Sequence, residues 1–171
     1  VTNDRPESWQ GDVRWSIEPL SGEALDAGLR AVTAAPLATT PLLRLDFSSL
    51  LGAHNARRVI FVAELWQSDT LLARRVALFV PDKHLELAAT HLDGHVSLSG
   101  DQLSIRIQTD TLARFIELSL EGADVIFSDN YFDLPAGRNL TITCPLPHGW
   151  DMKQVEEALK IRTLKEAYTS L

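Results

Sequence analysis

Runs in which apolar and polar residues alternate, each cut short by Gly, Pro, Ser or Asp, recur along this chain and constrain its fold more than any other feature. Successive side chains of a β-strand point to opposite faces, so each run buries one face. The turn residues between runs fold the chain back antiparallel. From Asp12 to Glu18, Val13, Trp15 and Ile17 alternate with polar residues, Ser21-Gly22 turns, and Ala24 to Ala34 returns as the second arm of a hairpin. Pro36 and Pro41 bracket a corner, after which Leu43, Leu45 and Phe47 alternate again and Ser48-Ser49-Leu50-Leu51 bends. The strongest hairpin of the first half is Arg57 to Trp66, Gln67-Ser68-Asp69, then Thr70 to Val80, with Ile60, Val62 and Leu65 or Trp66 facing Leu72, Val76 and Leu78. Arg74-Arg75 falls mid-strand, so one guanidinium must reach solvent or meet a carboxylate.

Pro81-Asp82-Lys83 interrupts the pattern, because proline lacks the ladder donor and restricts the residue before it. A stiff, short connection is expected there, dividing the chain into residues 1–82 and 83–171. The second half repeats the same grammar. Leu85 to Leu87 is expected as a short strand; His95, Ser97 and Ser99 alternate with Val96 and Leu98; Ser99-Gly100-Asp101 turns; Leu103, Ile105 and Ile107 line one face. Leu112 to Leu120 is a β-rich run. Asp124 to Phe127 is expected as a strand that Ser128-Asp129-Asn130 breaks, with Tyr131 and Phe132 packing behind the turn. Asn139 to Thr143 forms a last strand of the pattern before Pro145 and Pro147. Asp151 is a good N-cap for a helix over Met152 to Leu159, with Met152, Val155 and Leu159 on one face. Beyond it, Lys160 to Tyr168 has helical propensity, but Ile161 to Leu164 is preferred as an edge strand.

The net charge of −7 argues against a nucleic-acid surface, and the only basic pairs are Arg57-Arg58 and Arg74-Arg75. A lone Cys144 permits neither an intrachain disulfide nor a cysteine-based zinc site. No apolar run approaches the roughly 18 residues of a membrane span, and no signal peptide opens the chain. The first residue, Val1 rather than Met, is read as the start of a processed product or excised piece, and the cellular address stays open.

Candidate chemistry is sparse. Asp124, Asp129 and Asp133 cluster in sequence, but nothing fixes a facing pair of the kind that cleaves glycosides, and the run lacks the glycine-centred spacing of a calcium loop. His91 and His95 have a metal-like spacing broken by Gly94, and a surface loop is expected for them. No nucleophile elbow or phosphate loop is present. No catalytic, cofactor-binding or metal-ligating residue is assigned. Asn139-Leu140-Thr141 matches a glycosylation sequon and carries little weight on a strand. Trp15 and Trp66 lie in strands and belong to the core or half-buried faces, whereas Trp9 and Trp150 are expected in loops. Trp9, Trp150, Asp129 and Asn130 are therefore the candidate contacts to a neighbouring domain or a sugar, with domain packing preferred.

Two blocks, Leu78-Phe-Val-Pro-Asp-Lys-His-Leu-Glu-Leu87 and Ala113-Arg-Phe-Ile-Glu-Leu-Ser-Leu-Glu-Gly-Ala-Asp-Val-Ile-Phe-Ser-Asp-Asn-Tyr-Phe-Asp-Leu134, resemble the C-terminal region of β-mannosidases of glycoside hydrolase family 2. Asn3-Asp4 followed by Trp15 is similar to the start of the preceding immunoglobulin-like domain in those enzymes. The resemblance implies an all-β chain of two tandem antiparallel immunoglobulin-like β-sandwiches with a short C-terminal helix. It also implies a non-catalytic scaffold for a retaining exo-glycosidase whose catalytic (β/α)8 barrel, carrying its glutamates, lies outside these residues. The expected partners are that barrel and β-mannosides or manno-oligosaccharides, with no nucleic acid, membrane or cofactor. The alternatives are a carbohydrate-binding module or a free-standing adhesion or assembly sandwich.

Overall fold

A computed structural model describes residues 1–169. The backbone divides into two compact units: Val1–Pro19 with Glu23–Glu86, and Leu87 onward with Leu20–Gly22. Both are built from antiparallel strands, as the alternation requires.

In the first unit, β1 (Thr2–Asn3), β2 (Trp9–Pro19), β3 (Asp26–Ala34) and β4 (Ala38–Thr39) are followed by a short helix α1 (Ser48–Ala53), then β5 (Val59–Gln67) and β6 (Thr70–Leu78). The main sheet has the order β3-β2-β5-β6, and β1 pairs with β4. Both expected hairpins are present, the second turning at Ser68, whose φ of 53° lies in the left-handed region. The segment from Pro41 to Phe47 is not a strand, and Ser48 onward coils into α1 rather than a bend. Its apolar side chains instead lie against the sheet: Phe47 meets Trp15 at 5.8 Å, Phe61 at 5.8 Å and Phe79 at 6.3 Å between ring centroids. Alternation alone does not distinguish a paired strand from an extended strap whose side chains dip onto someone else's sheet.

The opposite face of this sheet carries a ladder of charges. Arg14, Glu64 and Arg74 are direct cross-strand partners on β2, β5 and β6. The Arg74 guanidinium donates to Glu64 Oε1 at 2.7 Å, the Trp66 indole donates to Glu64 Oε2 at 3.1 Å, and the Arg14 guanidinium lies 4.5 Å above the Trp66 ring. This resolves the Arg74-Arg75 doublet: the first arginine finds its carboxylate, and the second stays exposed on the other face.

Two glycines admit aromatic rings where any Cβ would collide. Gly28 sits opposite Trp15, and a Cβ there would lie 2.5 Å from the indole. At Gly11 it would fall 2.3 Å from the Trp9 ring and from the Trp66 carbonyl oxygen. Overpacking of this kind forces side chains and backbone apart. Gly28→Ala is expected to destabilise the fold by about 1–3 kcal/mol, read as a lowered urea midpoint with an unchanged slope.

The first unit closes with a polar clip. After a single 3-10 turn over Asp82–His84, the Glu86 amide donates to the Arg57 carbonyl at 2.9 Å and the Arg57 side chain donates to the His84 carbonyl at 2.7 Å. The Glu86 carboxylate accepts from Arg58 and Asn55. The Arg58 hydrogen bond, helped by the charges of Arg58 and Arg57 and opposed by partial burial, holds that carboxyl below its ordinary value of 4.5. A carboxyl that binds its proton less readily in the folded state contributes stability above its unfolded pKa and loses it as pH falls through the lower folded one. The melting temperature is therefore expected to fall as pH drops below 4.5, and Glu86→Gln should remove part of that fall in a pH series of thermal melts.

In the second unit, β7 (Leu92–Ser99), β8 (Gln102–Thr109), β9 (Ala113–Leu120), β10 (Phe132–Leu134) and β11 (Asn139–Pro145) precede helix α2 (Met152–Ala158), β12 (Leu159–Arg162) and helix α3 (Leu164–Thr169). They form two three-stranded sheets, β11-β8-β7 and β10-β9-β12, whose inner faces make one core. Leu103, Ile105 and Ile107 of β8 and Ile142 of β11 are buried, as are Ile116 and Leu118 of β9 and Leu134 of β10. This is a two-layer β-sandwich. Asp151 caps α2 as expected and makes a full capping box: it accepts from the Gln154 amide while the Gln154 side chain accepts from the Asp151 amide, both at 2.9 Å. The preference for an edge strand after this helix is met by β12, displaced toward the N-terminus, with α3 following it.

Three expectations fail here. Leu85 to Leu87 pairs with nothing as a strand. Asp124 to Phe127 is extended but outside any sheet: Val125 and Phe127 pack onto the core while Ile126 is 86% exposed. Tyr131 does not pack behind the turn but is 63% exposed, whereas Phe132 packs as expected.

Candidate functional site

The residues singled out by sequence do not converge. Trp9 is the first residue of β2, not a loop residue, and is only 7% exposed in a cluster with Val32 and Ala34. Trp150 does lie in a loop, where its amide donates to the Pro147 carbonyl at 3.1 Å and its ring packs partly buried against the cluster of Leu103, Leu120, Cys144 and Val155. Asp129 is exposed and accepts from the following Asn130 amide at 2.8 Å, an ordinary turn contact. His91 precedes β7 and pairs with Asp93 at 3.0 Å, while His95 lies within β7 rather than in a loop. Cys144 is buried, which pushes its thiol pKa up. No group of three His, Cys, Asp or Glu side chains suited to a metal occurs among the described residues, and no helix there is long and apolar enough to cross a membrane.

Asn130 does more than close a turn. Its Oδ1 accepts from the Leu118 amide at 2.8 Å and its Nδ2 donates to the Leu118 carbonyl at 2.9 Å. One side-chain amide thus presents to β9 the donor and acceptor pair that a neighbouring strand would offer, just where β10 has not yet begun. Asn130→Ala leaves two strand groups unsatisfied and should cost about 1–3 kcal/mol in denaturant unfolding. Asn130→Asp keeps the acceptor but faces a carboxylate toward a carbonyl, so it should not restore the loss.

Next to it, β9 carries an irregularity. Phe132 pairs with Ile116 and Leu134 with Ala113, so Arg114 and Phe115 together oppose the single residue Asp133. This is a β-bulge, and Phe115 takes its left-handed position, φ 48°, where glycine is usual. Asp133 holds the bulge: its Oδ1 accepts from the Phe115 amide at 3.1 Å and pairs with buried Arg114 at 3.2 Å, while the Arg114 guanidinium lies 4.8 Å over the Phe115 ring. The bulge turns Phe115 outward, 41% exposed, while Ile116, Leu118 and Leu120 stay inside.

Tyr131 is a second non-glycine residue in the left-handed region, φ 60°, fixed by its amide donating to the Ile116 carbonyl at 2.8 Å. Its hydroxyl donates to Glu117 Oε1 at 3.1 Å, and that bond to a carboxylate raises the phenol pKa, keeping it a donor. Across the ladder, Glu117 of β9 faces Arg162 of β12. Phe115, Tyr131, Glu117, Arg162 and Lys160 line an open groove of about 1020 Å³ on the outer face of this sheet. A smaller cleft of about 520 Å³ in the first unit is lined almost wholly by apolar residues, among them Trp15, Phe47 and Phe61.

Sequence reasoning missed this groove. The available signal was position: Phe115 shares the outward phase of Glu117 and Ser119, opposite Ile116, Leu118 and Leu120, so a large aromatic stands where a solvated strand face usually carries a polar residue.

Two units built from antiparallel sheets define the fold class, immunoglobulin-like β-sandwich domains. The comparisons identify which. Residues 1–84 match the mannosidase Ig/CBM-like domain, and residues 87–167 match the Ig-fold domain of the Ig mannosidase family. The chain belongs to these mannosidase immunoglobulin-like domain families, which are typical of glycoside hydrolase family 2. Among solved structures, the β-D-mannosidase from Dictyoglomus thermophilum is similar with a TM-score of 0.80 and 19% identity, over 93% of this chain and 19% of that one. The exo-chitosanase CsxA of Amycolatopsis orientalis is similar with a TM-score of 0.57 and 12% identity, over 95% of this chain and 24% of that one. At these identities the likeness concerns the fold. The chain spans about a fifth to a quarter of the length of these proteins. No curated protein matches the sequence.

Proposed function

We propose that this chain is the non-catalytic C-terminal scaffold region of a β-mannosidase-like retaining exo-glycosidase, supporting a catalytic (β/α)8 barrel of the same polypeptide. The observation that carries this reading is the match of both halves, consecutively, to mannosidase immunoglobulin-like domain families. The physics agrees with a supporting role. A sandwich presents a rigid surface with little conformational entropy left to lose on docking. Carboxylates that would otherwise suggest glycoside chemistry are engaged structurally, Asp133 by Arg114 and the Phe115 amide, Glu64 by Arg74 and Trp66. The partners of this reading are the barrel and, through the barrel, β-mannosides.

The test has two arms. The 171-residue chain alone is expected to release no p-nitrophenol from p-nitrophenyl β-mannoside. In a longer polypeptide that carries the barrel, truncation before Pro81 is expected to lower both melting temperature and turnover. Unchanged values in the second arm would remove the scaffold role, and hydrolysis in the first would place the chemistry in these residues.

A further inference from the structure

We propose that the outer face of the β10-β9-β12 sheet binds a neutral β-linked oligosaccharide, with Phe115 and Tyr131 as stacking surfaces and Glu117 and Arg162 as partners for its hydroxyls. This goes beyond the scaffold role and stands independently of it.

Three observations on the same face carry the assignment. First, Phe115 and Tyr131 both adopt left-handed backbone, which bulky residues rarely do, and both are aromatic and exposed. Folding alone would favour glycine or asparagine at such positions, so the rings are held outward against local preference. Second, the positions are fixed before any ligand arrives. Asp133 anchors the Phe115 amide and Arg114 backs its ring, while the Tyr131 amide is tied to the Ile116 carbonyl. Third, the lining beside them is polar but mixed in sign: Glu117 faces Arg162 across the ladder, and Lys160 and Glu166 also line the groove.

That mixture selects the ligand. With both signs present, and a net charge of −7 on the chain, no field gathers phosphate polymers. A wholly apolar segment would desolvate Glu117 and Arg162 without giving them partners. A pyranose chain offers what both parts of the groove need: flat C–H faces for aromatic rings and hydroxyls that donate to a carboxylate and accept from a guanidinium. The groove of about 1020 Å³ lies at the upper end of the volumes of ligand clefts.

The experiment is calorimetric titration of the 171-residue chain with mannopentaose and, separately, cellopentaose. Saturable binding of at least one in the millimolar range or tighter is expected. Phe115→Gly and Tyr131→Gly remove the rings while suiting the left-handed backbone, so each is expected to remain folded, checked by a cooperative thermal melt. Each should also weaken binding about tenfold or more, equivalent to about 1.4 kcal/mol. Glu117→Gln, which leaves the backbone alone, is expected to weaken binding as well. Absence of saturable heat with both sugars, or undiminished binding in both glycine variants, overturns the assignment. Neither result would bear on the truncation experiment above.

Discussion

The meeting of the β8 row with the β9 row is the contact from which the second unit is built. Leu103, Ile105 and Ile107 present one fully buried face, and Ile116, Leu118 and Leu120 present the other. Because strand side chains alternate, fixing these six inward also fixes which residues face water. The outer face of β9 is therefore the complement of its core face: Glu117 and Ser119 point outward because Leu118 does not. The bulge at Phe115 is tolerated on this strand because the core face resumes its phase at Ile116 and loses no buried contact. A function-bearing irregularity sits best where the packing on either side is over-determined.

The first unit solves the same problem with less regular material. Its sheet is covered on one face by the strap from Leu42 to Phe47, whose aromatic ring reaches Trp15, Phe61 and Phe79. Glycines at positions 11 and 28 make room for indole rings, so the sheet gains thickness where its backbone has no side chain. On the other face the Glu64 carboxylate of β5 pairs with Arg74 of β6, while Arg14 of β2 lies over the Trp66 ring that donates to the same carboxylate. Breaking such a group by removing one partner costs more than the pair contributes, since the remaining charge keeps its desolvation penalty.

How much of this was legible in the sequence depended on whether a residue's neighbours were local. The hairpins at Asp12–Ala34 and Arg57–Val80, the β7-β8 turn and the Asp151 cap were legible because turn chemistry and alternation are properties of adjacent residues. Asp124 to Phe127 was misread as a strand because Val125, Ile126 and Phe127 are β-forming residues, but no strand lies beside them to pair. Trp9 was misread as a loop residue because Gly11 interrupts its strand, when that glycine is what lets the ring lie down. The groove of Phe115 and Tyr131 depends on a register shift between strands separated by the whole 121–131 segment, and no local window contains it. The Asn130 contact has the same character: a turn former by composition, it became a surrogate strand through a partner twelve residues away.

That surrogate has a bearing on what this sheet edge offers another chain. A sheet edge with a row of free amides and carbonyls is a template on which another chain can add a strand. Here β10 spans only Phe132–Leu134, and beyond it the Leu118 amide and carbonyl are already engaged by Asn130. An incoming strand would find three residues of edge and then a side chain in the place of backbone. The sheet ends on an amide that offers an incoming strand no free backbone at Leu118, and Asp133 within β10 and Pro135 just after it blunt the same edge further.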